Sequence, residues 1–122
     1  MATVLILGAG SDIGMEIARK FSSAGFDIQL AGRRPQLLDP VRTDLSIRYG
    51  VKVEIFFFDA LEFGSHKAFF SSLSPRPEIT ICVFGLLEEE SLAFSNWDIA
   101  ERMINTNFTG AVSILNVAAG HY

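Results

Sequence analysis

One cysteine, two histidines and no block of like charge are all that this 122-residue sequence offers to several common kinds of chemistry. Cys82 stands alone, which excludes an internal disulfide. Its place in an apolar run marks it as a small core residue and not as an activated thiol. His66 and His121 lie far apart without a ligand-spaced partner, so no zinc pattern is present. The 14 acidic and 10 basic residues are spread along the chain and give a net charge of −4. Without a basic cluster to grip a phosphate backbone or anionic lipid, neither nucleic-acid nor membrane binding is expected. The opening run, Thr3-Val4-Leu5-Ile6-Leu7-Gly8, is too short to span a membrane and has no positive leader or cleavage signal, so a cytoplasmic protein is expected.

What the chain has in quantity is apolar residues, 49% of the total. Its length suits a single domain, residues 1–122, able to bury roughly two-thirds of its unfolded surface without a disulfide or metal. Short apolar runs alternate with helical patterns. Strands are expected at Thr3–Gly8, Phe26–Gly32, Val51–Phe58 and Ile79–Phe84. Between them, Ile13, Ile17, Ala18, Phe21 and Ala24 share one helical face, closed by Gly25. A second helix runs from Pro35 towards Tyr49, with Pro40 breaking or delaying it. A third covers Ser65–Leu73 and ends at the Ser74-Pro75-Arg76-Pro77 turn. Trp97–Tyr122 reads as mostly helix, with a loop before it. Strands that are apolar throughout, each followed by a helix, predict an α/β fold with a parallel sheet covered on both faces. Right-handed crossovers make the leading topology a Rossmann-like doubly wound sheet of four strands in the order 3-2-1-4.

The chemistry-bearing pattern follows the first strand directly: Gly8-Ala9-Gly10-Ser11-Asp12-Ile13-Gly14, opening the first helix. Glycines in a strand-turn-helix let backbone amides approach a pyrophosphate, and the helix amino terminus adds partial positive charge. Gly14 permits close packing of helix on sheet, and Asp12 also reads as an acid favoured at a helix start. The second strand ends in Gly32-Arg33-Arg34, 18 to 20 residues past Gly14. A carboxylate there would accept from a free ribose 2′-hydroxyl and mark NAD. Guanidiniums instead present forked donors suited to a phosphate, so NADP is expected over NAD. Arg33 is the prime candidate; Arg34 is either a second contact or a solvated charge. At the end of the third strand, Asp59 in Asp59-Ala60-Leu61-Glu62 is either an acceptor for an adenine amino group or a turn cap.

Gly8 to Gly14 resembles the glycine motif of the short-chain dehydrogenase/reductase family, Thr-Gly-x-x-x-Gly-x-Gly. Gly8, Ile13 and Gly14 fit it, whereas Leu7 replaces the threonine and Asp12 the middle glycine. The resemblance implies a dinucleotide site formed by Gly8, Gly10, Ser11, Asp12, Ile13, Gly14, Arg33, Arg34, Asp59, Ala60 and Gly85. Gly85 is the only match in Ile81-Cys82-Val83-Phe84-Gly85 to the family's Asn-Asn-Ala-Gly. Asn107, three residues before Gly110, falls on an asparagine that in the family kinks the central helix and holds a water of the proton relay. Beyond that helix the family supplies a catalytic Ser and a Tyr-x-x-x-Lys pair. Neither Tyr49 nor Tyr122 is followed by such a lysine.

The expectation is thus an amino-terminal portion of an NADP-dependent oxidoreductase acting on a carbonyl or alcohol, lacking the catalytic Tyr and Lys. The alternative is a non-catalytic dinucleotide-binding or structural dimer module. In the 3-2-1-4 order the fourth strand is an apolar edge, expected to be covered by a second copy, as in a homodimer, or by a carboxyl-terminal half.

Overall fold

The computed structural model describes residues 2–85 and 95–122. Four strands form one parallel sheet: β1 (Thr3–Leu7), β2 (Asp27–Gly32), β3 (Val53–Phe57) and β4 (Ile79–Cys82), in the order β3-β2-β1-β4. β1 is central. Its Leu5 lies opposite Gln29 of β2 and Thr80 of β4, and all five of its residues are buried. The expected fold class and strand order are both present.

Parallel pairing requires crossovers, and the helices supply them on both faces. α1 (Asp12–Ser23) and α2 (Asp39–Tyr49) cover one face. Val4, Ile6, Ile28, Leu30 and Val53 point into it, joined by Ala18, Leu45 and, from the helices, Ile17 and Phe21. α3 (His66–Ser72) and the carboxyl-terminal helical run cover the other. There Leu5, Leu7 and Ala31 meet Phe58, Phe70, Leu73, Ile114 and Ala118. Successive residues of β1 therefore feed opposite cores, which is why that strand is apolar without alternation.

Several boundaries carry their own physical reason. Ser11 caps α1, and Gly25, at φ +90°, takes the left-handed position just past its end. Pro40 delays its helix as expected. Pro35–Leu38 forms a 3₁₀ turn, and Pro40 then sits in the first turn of α2, where its missing N–H costs nothing. A 3₁₀ turn, Phe63–Ser65, likewise precedes α3. β4 is shorter than its apolar run, although Val83 N still donates to Leu7 O at 2.8 Å.

Two features depart from a plain reading of the pattern. Gln29 is 1% exposed within β2, where its Nε2 donates to Pro75 O at 2.8 Å. This bond anchors the Ser74–Pro77 turn to the sheet. The run after Trp97 is not one continuous helix: α4 (Trp97–Ile104) and α5 (Ala111–His121) are joined by a π-helical turn, Asn105–Gly110. The loop expected ahead of Trp97 lies largely outside the described residues. Among the described residues, no helix is long and apolar enough to cross a membrane.

Candidate functional site

Because the strands are parallel, Leu7, Gly32, Phe57 and Cys82 end at the same edge of the sheet. The chain fills the sheet from β1 outward to β3, then crosses back to place β4 on the other side of β1. Ligands of open α/β sheets bind at such a reversal, outside the carboxyl ends of the strands. The strand ends are tied together. Gly8 N donates to Ala31 O at 2.9 Å, and Phe58 N to Gly32 O at 2.9 Å.

The turn from β1 to α1 is built from glycine and serine. Gly8 has φ +92°, and a Cβ there would lie 2.5 Å from Phe84 N, so no side chain fits between the ends of β1 and β4. A Cβ on Gly14 would meet Gly8 O at 2.6 Å, whereas one on Gly10 would face open space. Ser11 Oγ donates to Gly8 O at 3.1 Å and accepts from Gly14 N at 3.0 Å, closing the turn on itself. The result is a helix amino terminus at the sheet edge with a glycine backbone, a cradle suited to a pyrophosphate. Asp12 lies in the first turn of α1 and lines a groove of about 490 Å³ with Ile13, Glu16, Ile17 and Lys20. That groove follows the helix flank.

Arg33 and Arg34 follow β2 and are both exposed. Among the described residues neither forms an ion pair, whereas Arg19, Arg42 and Arg48 each bind a carboxylate of their own helix. Two uncommitted guanidiniums therefore stand at the end of the second strand. Asp59 is half-buried, and its Oδ1 accepts from Leu61 N at 2.9 Å. It caps its turn, one of the two roles expected of it, through one carboxylate oxygen. The side chain of Ala60 is buried beneath the π turn, where a Cβ on Gly110 would come within 2.7 Å of Ala60 O.

The π turn brings Asn107 back to the same edge. A Cβ on Gly85 would lie 3.3 Å from Asn107 Oδ1, so this glycine admits the asparagine beside the end of β4. The structure thus gathers the glycine turn, Arg33, Arg34, Asp59, Gly85 and Asn107 along one edge. Cys82, the half-buried last residue of β4, has its thiol pushed up by burial, while a backbone hydrogen bond from Phe84 pulls the other way. It is held as a thiol.

One member of this neighbourhood was not legible as such. His66 is fully buried and joins Asp59 O to Ser113 of α5. The three residues are separated by up to 54 positions in sequence, and no local pattern connects them.

Comparison with known proteins fits this geometry. The family model described as short chain dehydrogenase matches residues 2–121. Sulfoacetaldehyde reductase 2 of Chromohalobacter salexigens is 33% identical over 118 residues, covering 91% of this chain and 45% of its own length. Two solved structures superpose closely. One is a short-chain dehydrogenase from Sphingobium yanoikuyae in complex with NADPH, at TM-score 0.86 and 27% identity over 99% of this chain and 48% of that one. The other is an alcohol dehydrogenase from the archaeon Thermococcus sibiricus complexed with 5-hydroxy-NADP, at TM-score 0.84 and 25% identity over 96% and 51%. The chain spans about half the length of these relatives.

Proposed function

The chain belongs to the short-chain dehydrogenase family, and from that premise we propose that it binds NADP(H) in preference to NAD(H), as the cofactor half of an oxidoreductase acting on a carbonyl or alcohol. The observation that carries the preference is the pair Arg33 and Arg34 at the end of β2, exposed and without an ion pair among the described residues. An exposed guanidinium with no carboxylate partner among the described residues is available to a ribose 2′-phosphate, and β2 ends in Gly32-Arg33-Arg34 without the acid that would favour a free hydroxyl. The relatives complexed with NADPH and 5-hydroxy-NADP support the same choice.

In this reading Gly8, Gly10, Ser11, Asp12, Ile13 and Gly14 hold the pyrophosphate through backbone amides and the dipole of α1. Arg33 takes the 2′-phosphate, with Arg34 beside it. Asp59 and the Ala60 backbone border the adenine, and Gly85 leaves room on the nicotinamide side. When bound, the cofactor supplies hydride transfer. The chain's contribution near the reacting centre is Asn107, which the family resemblance assigns to holding a proton-relay water. The carbonyl class of substrate is supported by the relative named as a sulfoacetaldehyde reductase.

β4 pairs with β1 alone among the described residues, and in this reading its outer edge is covered by a second copy or by further chain.

Titration with NADPH and NADH, followed by calorimetry or nicotinamide fluorescence, tests the proposal. NADPH is expected to bind more tightly. Arg33→Ala should cost NADPH about 10- to 100-fold, the scale of a charge-assisted hydrogen bond, and leave NADH nearly unchanged. Equal loss for both cofactors would remove Arg33 from the 2′-phosphate site.

A further inference from the structure

His66 occupies the first position of α3 and is completely buried, yet both ring nitrogens have partners. Nε2 lies 3.0 Å from Asp59 O, and Nδ1 lies 2.7 Å from Ser113 Oγ. A carbonyl only accepts, so Nε2 carries the proton and donates to Asp59 O. The ring is further held by stacking on Phe58, centroids 4.9 Å apart, and by the edge of Phe63. The imidazole therefore bridges three elements: the turn after β3, the start of α3, and α5 just beyond the π turn. Asp59, whose carbonyl it holds, is the residue whose carboxylate caps that turn through Leu61 N. Ser113, on the other side, is three residues past Gly110, which presses on Ala60.

An apolar side chain of similar volume would satisfy the packing here. A buried imidazole with two matched hydrogen bonds does something packing alone does not, because it fixes the direction of a backbone carbonyl. We infer that His66 is a positioning residue for the adenine-side turn Asp59–Leu61, holding that turn in register with the π-helical segment that carries Asn107. The inference rests on the reading of this sheet edge as a dinucleotide site. His66 acts only through Asp59 and Ser113.

The consequence is a selective one. Loosening the turn weakens the adenine half of the ligand and leaves the nicotinamide half alone. The test measures, in the full-length protein, affinities for NADPH, for adenosine 2′,5′-bisphosphate and for reduced nicotinamide mononucleotide. It does so in the natural protein and in His66→Leu, His66→Gln and Ser113→Ala. Removal of one neutral hydrogen bond corresponds to about tenfold in affinity. His66→Leu is expected to weaken NADPH and the adenosine bisphosphate by about that factor, with the mononucleotide unchanged. Ser113→Ala, which leaves no large void, should do the same by a smaller factor. His66→Gln retains an amide donor for Asp59 O and should recover most of the loss. Parallel loss of both halves, or failure of Gln to restore the adenine half where Leu has lost it, would overturn the positioning role. So would undiminished adenosine bisphosphate binding in Ser113→Ala and His66→Leu together. If the natural protein binds none of the three ligands, the dinucleotide reading itself falls, and this inference with it.

Discussion

Gly8 and Gly10 stand two residues apart in one turn and are constrained by different things. At Gly8 the backbone is left-handed and Phe84 N crowds the missing side chain, whereas at Gly10 a side chain would project into open space. Gly8→Ala combines backbone strain of about 1–2 kcal/mol with displacement of the β4 terminus, so a loss of about 3 kcal/mol or more is expected. Gly10→Ala should change stability by no more than about 0.5 kcal/mol. Urea unfolding of the two variants gives the comparison, and equal losses would contradict the turn geometry. At this scale the sequence was informative where a residue's role is local. The glycine turn, Arg33 and the capping option for Asp59 could all be read from spacing. His66 could not, since what defines it are Asp59 and Ser113, brought to it only by the fold.

Among the elements, the strands were the most legible. β1 is the clearest, a short run rich in β-branched residues and buried on both faces, and the other three begin or end in short apolar runs at the same parallel spacing. The 3₁₀ turn before α2 was foreshadowed by Pro40. The π turn between α4 and α5 was not, because one extra residue per turn leaves no mark on apolar spacing over six residues. The family resemblance implies a kink at Asn107, but the cause of its position lies in tertiary contact. Gly110 is the point where the turn touches Ala60, with space for a hydrogen and not for a methyl group. Alanine there would gain up to about 1 kcal/mol of helix propensity and lose about 1–3 kcal/mol to overpacking. Overpacking wins, and Gly110→Ala should lower stability by about 1–2 kcal/mol. A thermal melt checks this, and a stabilised variant would show that the turn is free to move off Ala60.

For the molecule as a whole, the two cores on either side of β1 explain how four strands hold together, but they leave a surface unaccounted for. Trp97, Ile104, Phe108 and Val112 are each at least half exposed along α4, the π turn and α5. β4 pairs with β1 alone among the described residues. Apolar stripes of this kind mark interfaces. The 122-residue chain, prepared alone, is expected to associate at high concentration. Light scattering should then give a mass above 13.4 kDa, and a well-folded monomer would contradict the coverage proposed for this face.

The proposal that the carboxyl edge of the sheet is a dinucleotide site is tested most directly by ¹H–¹⁵N chemical-shift mapping during titration with NADP⁺. The predicted result is saturable change, in one binding event, at the amides of Gly8–Gly14, Arg33, Arg34, Asp59–Leu61 and Gly85. Changes confined to the flank of α1 around Glu16 and Lys20, or no saturable change at all, would contradict it.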